Sequence, residues 1–315
     1  MNIYVRNVAG FIVETRFFYY NFIEVTKMNF DGFINEIKKN DWNIYGVEVY
    51  EDEKLTHEWG DTKETPHIIF SCTKTFLSVA VGIAWDRGLF DIDKNIFEYI
   101  PEDVYKKYDS KIIDDLSKIS IRRLLTMSVP GYPFRPEGDS YLDFIFSCPI
   151  EDPDKNEFYY CNICPTFVSV ALTYAIGEDL YEFIDREIIK PLGIHVEKYF
   201  RMPEGYFYGA SQMVMTLHDI SKLGLLLYNK GVWNGKRIVS EEYVDMATSV
   251  QIENDRYGYG FYIWKYKDGF YISGKWGQHC LILRDEKLMI TYTGFVPEQA
   301  EDVENAMIKY ILEDK

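Results

Sequence analysis

The stretch Ser71-Cys72-Thr73-Lys74-Thr75-Phe76-Leu77-Ser78-Val79-Ala80-Val81-Gly82-Ile83-Ala84-Trp85-Asp86-Arg87 decides the fold. From Cys72 to Arg87 apolar side chains (Phe76, Leu77, Val79, Ala80, Val81, Ile83, Ala84, Trp85) occupy nearly every face, the pattern of a helix buried all round. Gly88 followed by Leu89 supplies a C-terminal stop. Such a helix needs a large body around it. A chain of 315 residues with 47% hydrophobic and 17% aromatic content can provide one, as one large or two interleaved lobes.

Upstream, Phe30, Phe33, Ile34 and Ile37 recur at helical spacing between Asn29 and Lys39, which predicts an amphipathic helix. A hairpin follows, with Ile44 to Tyr50 and Leu55 to Trp59 as strands around the polar turn Glu51-Asp52-Glu53-Lys54. Downstream, from about Asp91 to Ser240, short helices with cap signals dominate: Ser120 before Ile121, and Thr216 with Asp219 before Leu223 to Leu227. After Arg256 the pattern returns to strands, Tyr257 to Lys265, Phe270 to Lys275, Cys280 to Leu283 and Leu288 to Thr293, and a last helix runs from Gln299 to Leu312. Strands at both ends with helices between predict an α+β fold. One antiparallel sheet, built from both chain ends and flanked by helices, carries an inserted all-α lobe. The whole of residues 1–315 then forms one unit, with an α/β lobe at about 29–90 plus 241–315 and a helical lobe at about 91–240.

Charge narrows the function classes. The 34 basic against 50 acidic residues give a net charge of -16, which repels phosphate backbones and anionic lipid heads, so neither nucleic acid nor a membrane surface is an expected partner. The apolar stretch Val8 to Val13 is too short for a signal peptide, and no apolar run reaches the ~20 residues of a spanning helix. The five cysteines, Cys72, Cys148, Cys161, Cys164 and Cys280, are an odd number in a chain too large to need staples, so free thiols and a cytoplasmic location are expected.

Ser71 and Lys74 stand three apart at the start of the central helix, where such residues share a face with Cβ atoms about 5–6 Å apart. A serine hydroxyl is a weak nucleophile until a neighbour takes its proton, and a lysine buried beside Phe76 and Leu77 could have its pKa lowered enough to do so. The bland reading of Ser-x-x-Lys is a helix cap beside a solvated lysine. What favours chemistry is two further elements, Tyr160-Cys161-Asn162 and, near the C-terminus, Lys275-Trp276-Gly277, read as lying on a strand.

With these motifs the chain resembles the class C β-lactamase and penicillin-binding-protein family, whose three motifs are Ser-x-x-Lys, Tyr-x-Asn and Lys-Thr/Ser-Gly. The resemblance runs from about Asn43 to Thr293 and takes in Ile119 to Met127, Thr216 to Lys236 and Gly274 to Gln278. It implies catalytic roles for Ser71 as nucleophile, Lys74 as its partner, and Tyr160 as base for acylation and acid for the leaving group, its phenolate favoured by the Lys74 and Lys275 ammonium groups. It implies substrate binding by Asn162, Lys275, Trp276, Gly277 and Gln278, with the N–H groups of Ser71 and Gln278 as an oxyanion hole. Two departures stand out: Trp276 replaces the hydroxyl residue of the third motif, and no Glu-x-x-x-Asn carboxylate is evident.

Other signals are weaker. Cys161-x-x-Cys164 supplies only half a zinc set, so no metal is expected. His279, two residues after Gly277, is a candidate auxiliary acid or base against a default role as a core or rim histidine. The nucleophile elbow Gly-x-Ser-x-Gly, phosphate loops and dinucleotide fingerprints are absent, so no cofactor is expected. The expectation is a serine hydrolase cleaving a small-molecule ester or amide through an acyl-serine. The rivals are a β-lactamase or D-amino-acid amidase or peptidase acting on a β-lactam-like substrate, and a non-catalytic or once-acylated ligand-binding protein.

Overall fold

The structure, a computed structural model, describes residues 4–6, 12–14 and 28–313. Residues 8–11 of the apolar N-terminal stretch lie outside the described residues. Helix α1 (Phe30–Lys39) starts where the Asn29 side chain accepts the Gly32 N–H at 2.9 Å, and it buries the four apolar residues of its periodic stripe. Strands β1 (Ile44–Glu51) and β2 (Lys54–Gly60) form the first hairpin. Asp52 and Glu53 between them both take positive φ, the conformation that matches a two-residue turn to strand twist. The buried helix is α2 (Thr73–Asp86), and α3 (Ile163–Ile176) and α4 (Leu217–Tyr228) are the longest helices of the middle region. Strands β3 (Trp264–Tyr266), β4 (Gly269–Gly274), β5 (Gln278–Leu283) and β6 (Leu288–Gly294) precede α5 (Ala300–Met307).

The six strands form one antiparallel sheet in the order β2-β1-β6-β5-β4-β3. The β1–β6 pairing, with Val49 opposite Ile290, joins the two chain ends. Side chains alternate between faces along each strand. Val47, Leu281, Ile290 and Tyr292 pack with α1 and α5. Phe270, Ile272, Ile282 and Met289 join the larger core around α2. The sheet is thus a wall with α1 and α5 behind it and α2, with the helical region, in front.

Three expectations change. The stretch 257–263 is not a strand: Phe261 and Tyr262 donate their N–H groups to the carbonyls of Ala247 and Leu125, so this backbone is tied to helix ends instead of a ladder. The middle region is not purely helical, since His67–Ile68 pairs with Val214–Met215 and Val232–Trp233 with Lys236–Arg237. Lys275, Trp276 and Gly277 form the turn between β4 and β5.

Packing around α2 is tight enough to test. A Cβ on Gly82 would lie 2.3 Å from the buried Tyr243 ring, so Gly82→Ala should be destabilising by about 1–3 kcal/mol despite alanine's better helix propensity. Urea unfolding should show a lower midpoint, and a midpoint unchanged or raised would mean that this contact yields freely.

Candidate active site

Ser71 lies in the single turn Phe70–Cys72 that leads into α2, and Lys74 is in the first turn of that helix. The Lys74 ammonium is almost fully buried and its three N–H groups meet three acceptors: Ser71 Oγ at 3.0 Å, Asn162 Oδ1 at 2.7 Å and the Ala210 carbonyl at 2.6 Å. Burial pushes its pKa down to about 7, because the charged form has lost its water. A substantial share of the amine is therefore neutral at ordinary pH, and in that form its lone pair can accept a proton from Ser71.

Asn162 is buried at the N-terminus of α3, with its own N–H bonded to the Phe134 carbonyl. Two residues earlier, the half-buried Tyr160 ring stacks on Trp264 at 5.6 Å and has Lys74 Nζ 5.1 Å from its centroid. The expected stabilisation of a phenolate by two ammonium groups is not met. Burial drives the Tyr160 pKa upward, the Ser71 hydroxyl beside it opposes this only in part, and the Lys275 ammonium sits instead over the Trp276 indole, 4.0 Å from the centroid. The two groups are thus shifted in opposite directions, Tyr160 upward and Lys74 downward, both chiefly by burial.

A cavity of about 240 Å³ opens at Ser71, with Ile68, Phe70, Phe134, Tyr208 and Trp276 as apolar wall and Arg135 and Lys275 as its charged groups. Three residues on this wall, Phe70, Gln212 and Trp276, have φ of 46°, 78° and 68°, a left-handed backbone that is strained in non-glycine residues and concentrates at functional sites. Trp276 packs edge-on against both Phe70 and Phe295, at 5.1 and 5.0 Å. The sequence offered no signal for Phe70, Ala210 or Gln212, which reach the site only through folding.

The third motif needs correction. Lys275 and Trp276 line the cavity, but from a turn: Gln278 Nε2 donates to the carbonyls of Lys275 and Gly294, and Val296 N–H to that of Trp276. Gln278 pairs with Gly274 in the ladder and, with Gly277, lines a separate cavity, so its side chain braces the turn. The strand itself ends in Ser273-Gly274, a hydroxyl–glycine pair with the buried Ile272 where the family pattern has lysine. Gly274 is required there, because a Cβ would sit 2.3 Å from the Ile69 carbonyl oxygen, on the chain entering Ser71. Ser273 also lines the separate cavity, so neither reading of the motif puts its hydroxyl beside Ser71.

His279 does not reach the cleft. It lies on the α5 face of the sheet, stacked between Tyr271 and Tyr292. Cys161 and Cys164 are free, buried thiols with sulfurs 3.5 Å apart. Among the described residues no cluster of three or more His, Cys, Asp or Glu could hold a metal ion, and no helix is long and apolar enough to cross a membrane.

A two-faced antiparallel sheet with a buried Ser-x-x-Lys helix against it is the architecture of β-lactamase and penicillin-binding-protein-like proteins, and solved structures agree. A candidate β-lactamase from Bacteroides dorei DSM 17855 superposes with a TM-score of 0.73 at 15% identity, covering 90% of this chain and 99% of its own. A candidate 6-aminohexanoate-dimer hydrolase from Bacillus anthracis gives 0.71 at 19% identity over 87% and 80% of the two chains. A penicillin-binding protein from Bacillus halodurans gives 0.67 at 16% identity over 88% and 99%. The model of the Beta-lactamase family matches residues 45–309, and the chain belongs to that family.

The depressed Lys74 pKa has a measurable consequence for stability. Between about pH 7 and the ordinary lysine value of 10.5 the unfolded chain holds a proton at Lys74 that the folded chain has released, so stability rises with pH across that window. Relative to Lys74→Met, the wild type should gain up to about 1.4 kcal/mol per pH unit there. A difference in unfolding free energy that does not change with pH would show that the amine is not depressed.

Proposed function

We propose that this protein is a serine hydrolase that cleaves small carboxylic esters through an acyl-Ser71 intermediate. The observation that carries the reading is the Lys74 Nζ–Ser71 Oγ contact of 3.0 Å, made by an amine whose pKa is pushed to about 7. Neutral Lys74 takes the hydroxyl proton as Oγ bonds to the ester carbonyl carbon. The tetrahedral oxyanion is received by the Ser71 N–H and an N–H of the Lys275–Trp276 turn. Among the described residues neither the Ser71 nor the Lys275 N–H has a backbone acceptor, and both residues line the cavity.

The ester C–O bond then breaks, Tyr160 gives its phenol proton to the leaving oxygen, and Lys74 returns a proton to Tyr160. Water repeats the sequence on the acyl-enzyme, ending with free acid and Ser71. The aromatic wall of Phe70, Phe134, Tyr208 and Trp276 favours a flat or apolar acyl group over a bulky bicyclic one.

Ser71→Ala should remove turnover of nitrophenyl esters by several orders of magnitude and leave the fold intact. A fluorophosphonate should label the wild type on the peptide carrying Ser71, at a rate rising through about pH 7 as Lys74 loses its proton. An unlabelled Ser71 would return the chain to the ligand-binding reading.

Trp276 sets the preference between esters and β-lactams. Trp276→Ser opens the wall and introduces a hydroxyl worth about 1.5–3 kcal/mol to a charged acceptor, one to two decades in binding. The ratio of kcat/KM for nitrocefin over a nitrophenyl ester should rise about tenfold or more. A wild type that already prefers nitrocefin, or an unmoved ratio, would put β-lactamase first.

A further inference from the structure

Behind the Lys275–Gly277 turn, on the α5 face of the sheet, lies a second cavity of about 250 Å³, between the ends of β4, β5 and β6 and the first turns of α5. We propose that it is a binding site for a small free α-amino acid, with Arg256 receiving the carboxylate and Glu304 the ammonium group.

The charged side chains lining it are Arg256, Glu301 and Glu304. Arg256 and Glu304 face each other without closing: their nearest nitrogen and oxygen are 3.9 Å apart, beyond hydrogen-bond distance, and among the described residues the guanidinium's hydrogen bond is a long 3.4 Å one to the Tyr271 hydroxyl. A guanidinium is a planar fork suited to a carboxylate, and a partly buried carboxylate gains most from a cation brought against it. An anion alone would meet the two glutamates, and a cation alone would meet Arg256. A ligand carrying both charges satisfies both sides.

The floor supports the same reading. His279 is only 5% exposed, lines the cavity between the Tyr271 and Tyr292 rings, and its ring nitrogens have no hydrogen-bond partner among the described residues. Burial, with Arg256 adding to it, pushes its pKa down to about 3, so the ring is neutral and keeps one N–H donor and one nitrogen acceptor. Its nitrogens open on the cavity and are available to pair with a ligand ammonium or carboxylate. The volume falls just under the roughly 300–1,000 Å³ of ordinary small-molecule sites, which limits the ligand to a small one. Trp276 lines both this cavity and that of Ser71, so the two sites share one wall residue.

The test is calorimetric titration of the full chain with L- and D-alanine, and with propionate and ethylamine, each of which lacks one of the two charged groups. Alanine should bind saturably, and equally well after Ser71 has been blocked by a fluorophosphonate. Propionate and ethylamine should each bind at least about tenfold more weakly, as should alanine to Arg256→Gln and to Glu304→Gln, about 1.4 kcal/mol per substitution. No saturable binding, propionate binding as tightly as alanine, or unchanged affinity in both variants would overturn the proposal. Loss of binding on blocking Ser71 would place the ligand in the active-site cavity and overturn it too. Because labelling of Ser71 is read separately, failure here leaves the hydrolase reading standing, and failure of labelling leaves this site to be judged on its own titration.

Discussion

The burial of one ammonium group organises the site. Lys74 comes from α2, Asn162 from the start of α3, and Ala210 from the segment before α4, and the three donors of a single charge tie these pieces to Ser71. Taking an ammonium out of water is worth several kcal/mol against folding. It persists because each N–H has an acceptor and because the cores around α2 and α3 fix those acceptors in place. The same desolvation that makes the group unfavourable brings its pKa near neutrality, so the stability penalty and the chemical usefulness have one cause.

Strain gathers in the same place. Phe70, Gln212 and Trp276 hold left-handed backbones around one cavity and come from three separate segments; the Val296 N–H holds the Trp276 carbonyl, Gln278 holds that of Lys275 beside it, and the Phe70 and Trp276 rings pack at a steep angle. Gly274 lets the end of β4 press against the Ile69 carbonyl, which brings the Lys275–Gly277 turn to Ser71. The sheet therefore acts on the site mainly through one turn and one glycine, and the rest of its face is core.

Family membership fixes the fold and the coarse chemistry, and the differences lie in that turn. Solved relatives with identities of 15–19% share the architecture over nearly the whole described chain. Function resides in the site rather than the scaffold. Here the site has an indole at its edge, an Ile-Ser-Gly strand end, and a lysine parked on that indole instead of beside the tyrosine.

What the sequence determined by itself is what depends on near neighbours. Helical periodicity gave α1 and α2, alternation with polar turns gave the first hairpin and β4 to β6, caps gave the starts at Ser120 and Thr216, and i,i+3 spacing put Lys74 beside Ser71. Only the tertiary structure decided the rest. Whether Lys275-Trp276-Gly277 is strand or turn depends on where the ladder closes, at Gly274 opposite Gln278, and a shift of one residue reverses which face every side chain takes. That parity sends His279 to the back of the sheet. The stretch 257–263 has strand-like residues, yet its backbone bonds go to an isolated bridge at Ile252, to its own neighbours and, from Phe261 and Tyr262, to the helix ends at Ala247 and Leu125. The upward shift of the Tyr160 pKa was hidden for the same reason: a pKa is set by how much water the whole fold removes from a group, and that is a property of residues brought together from across the chain.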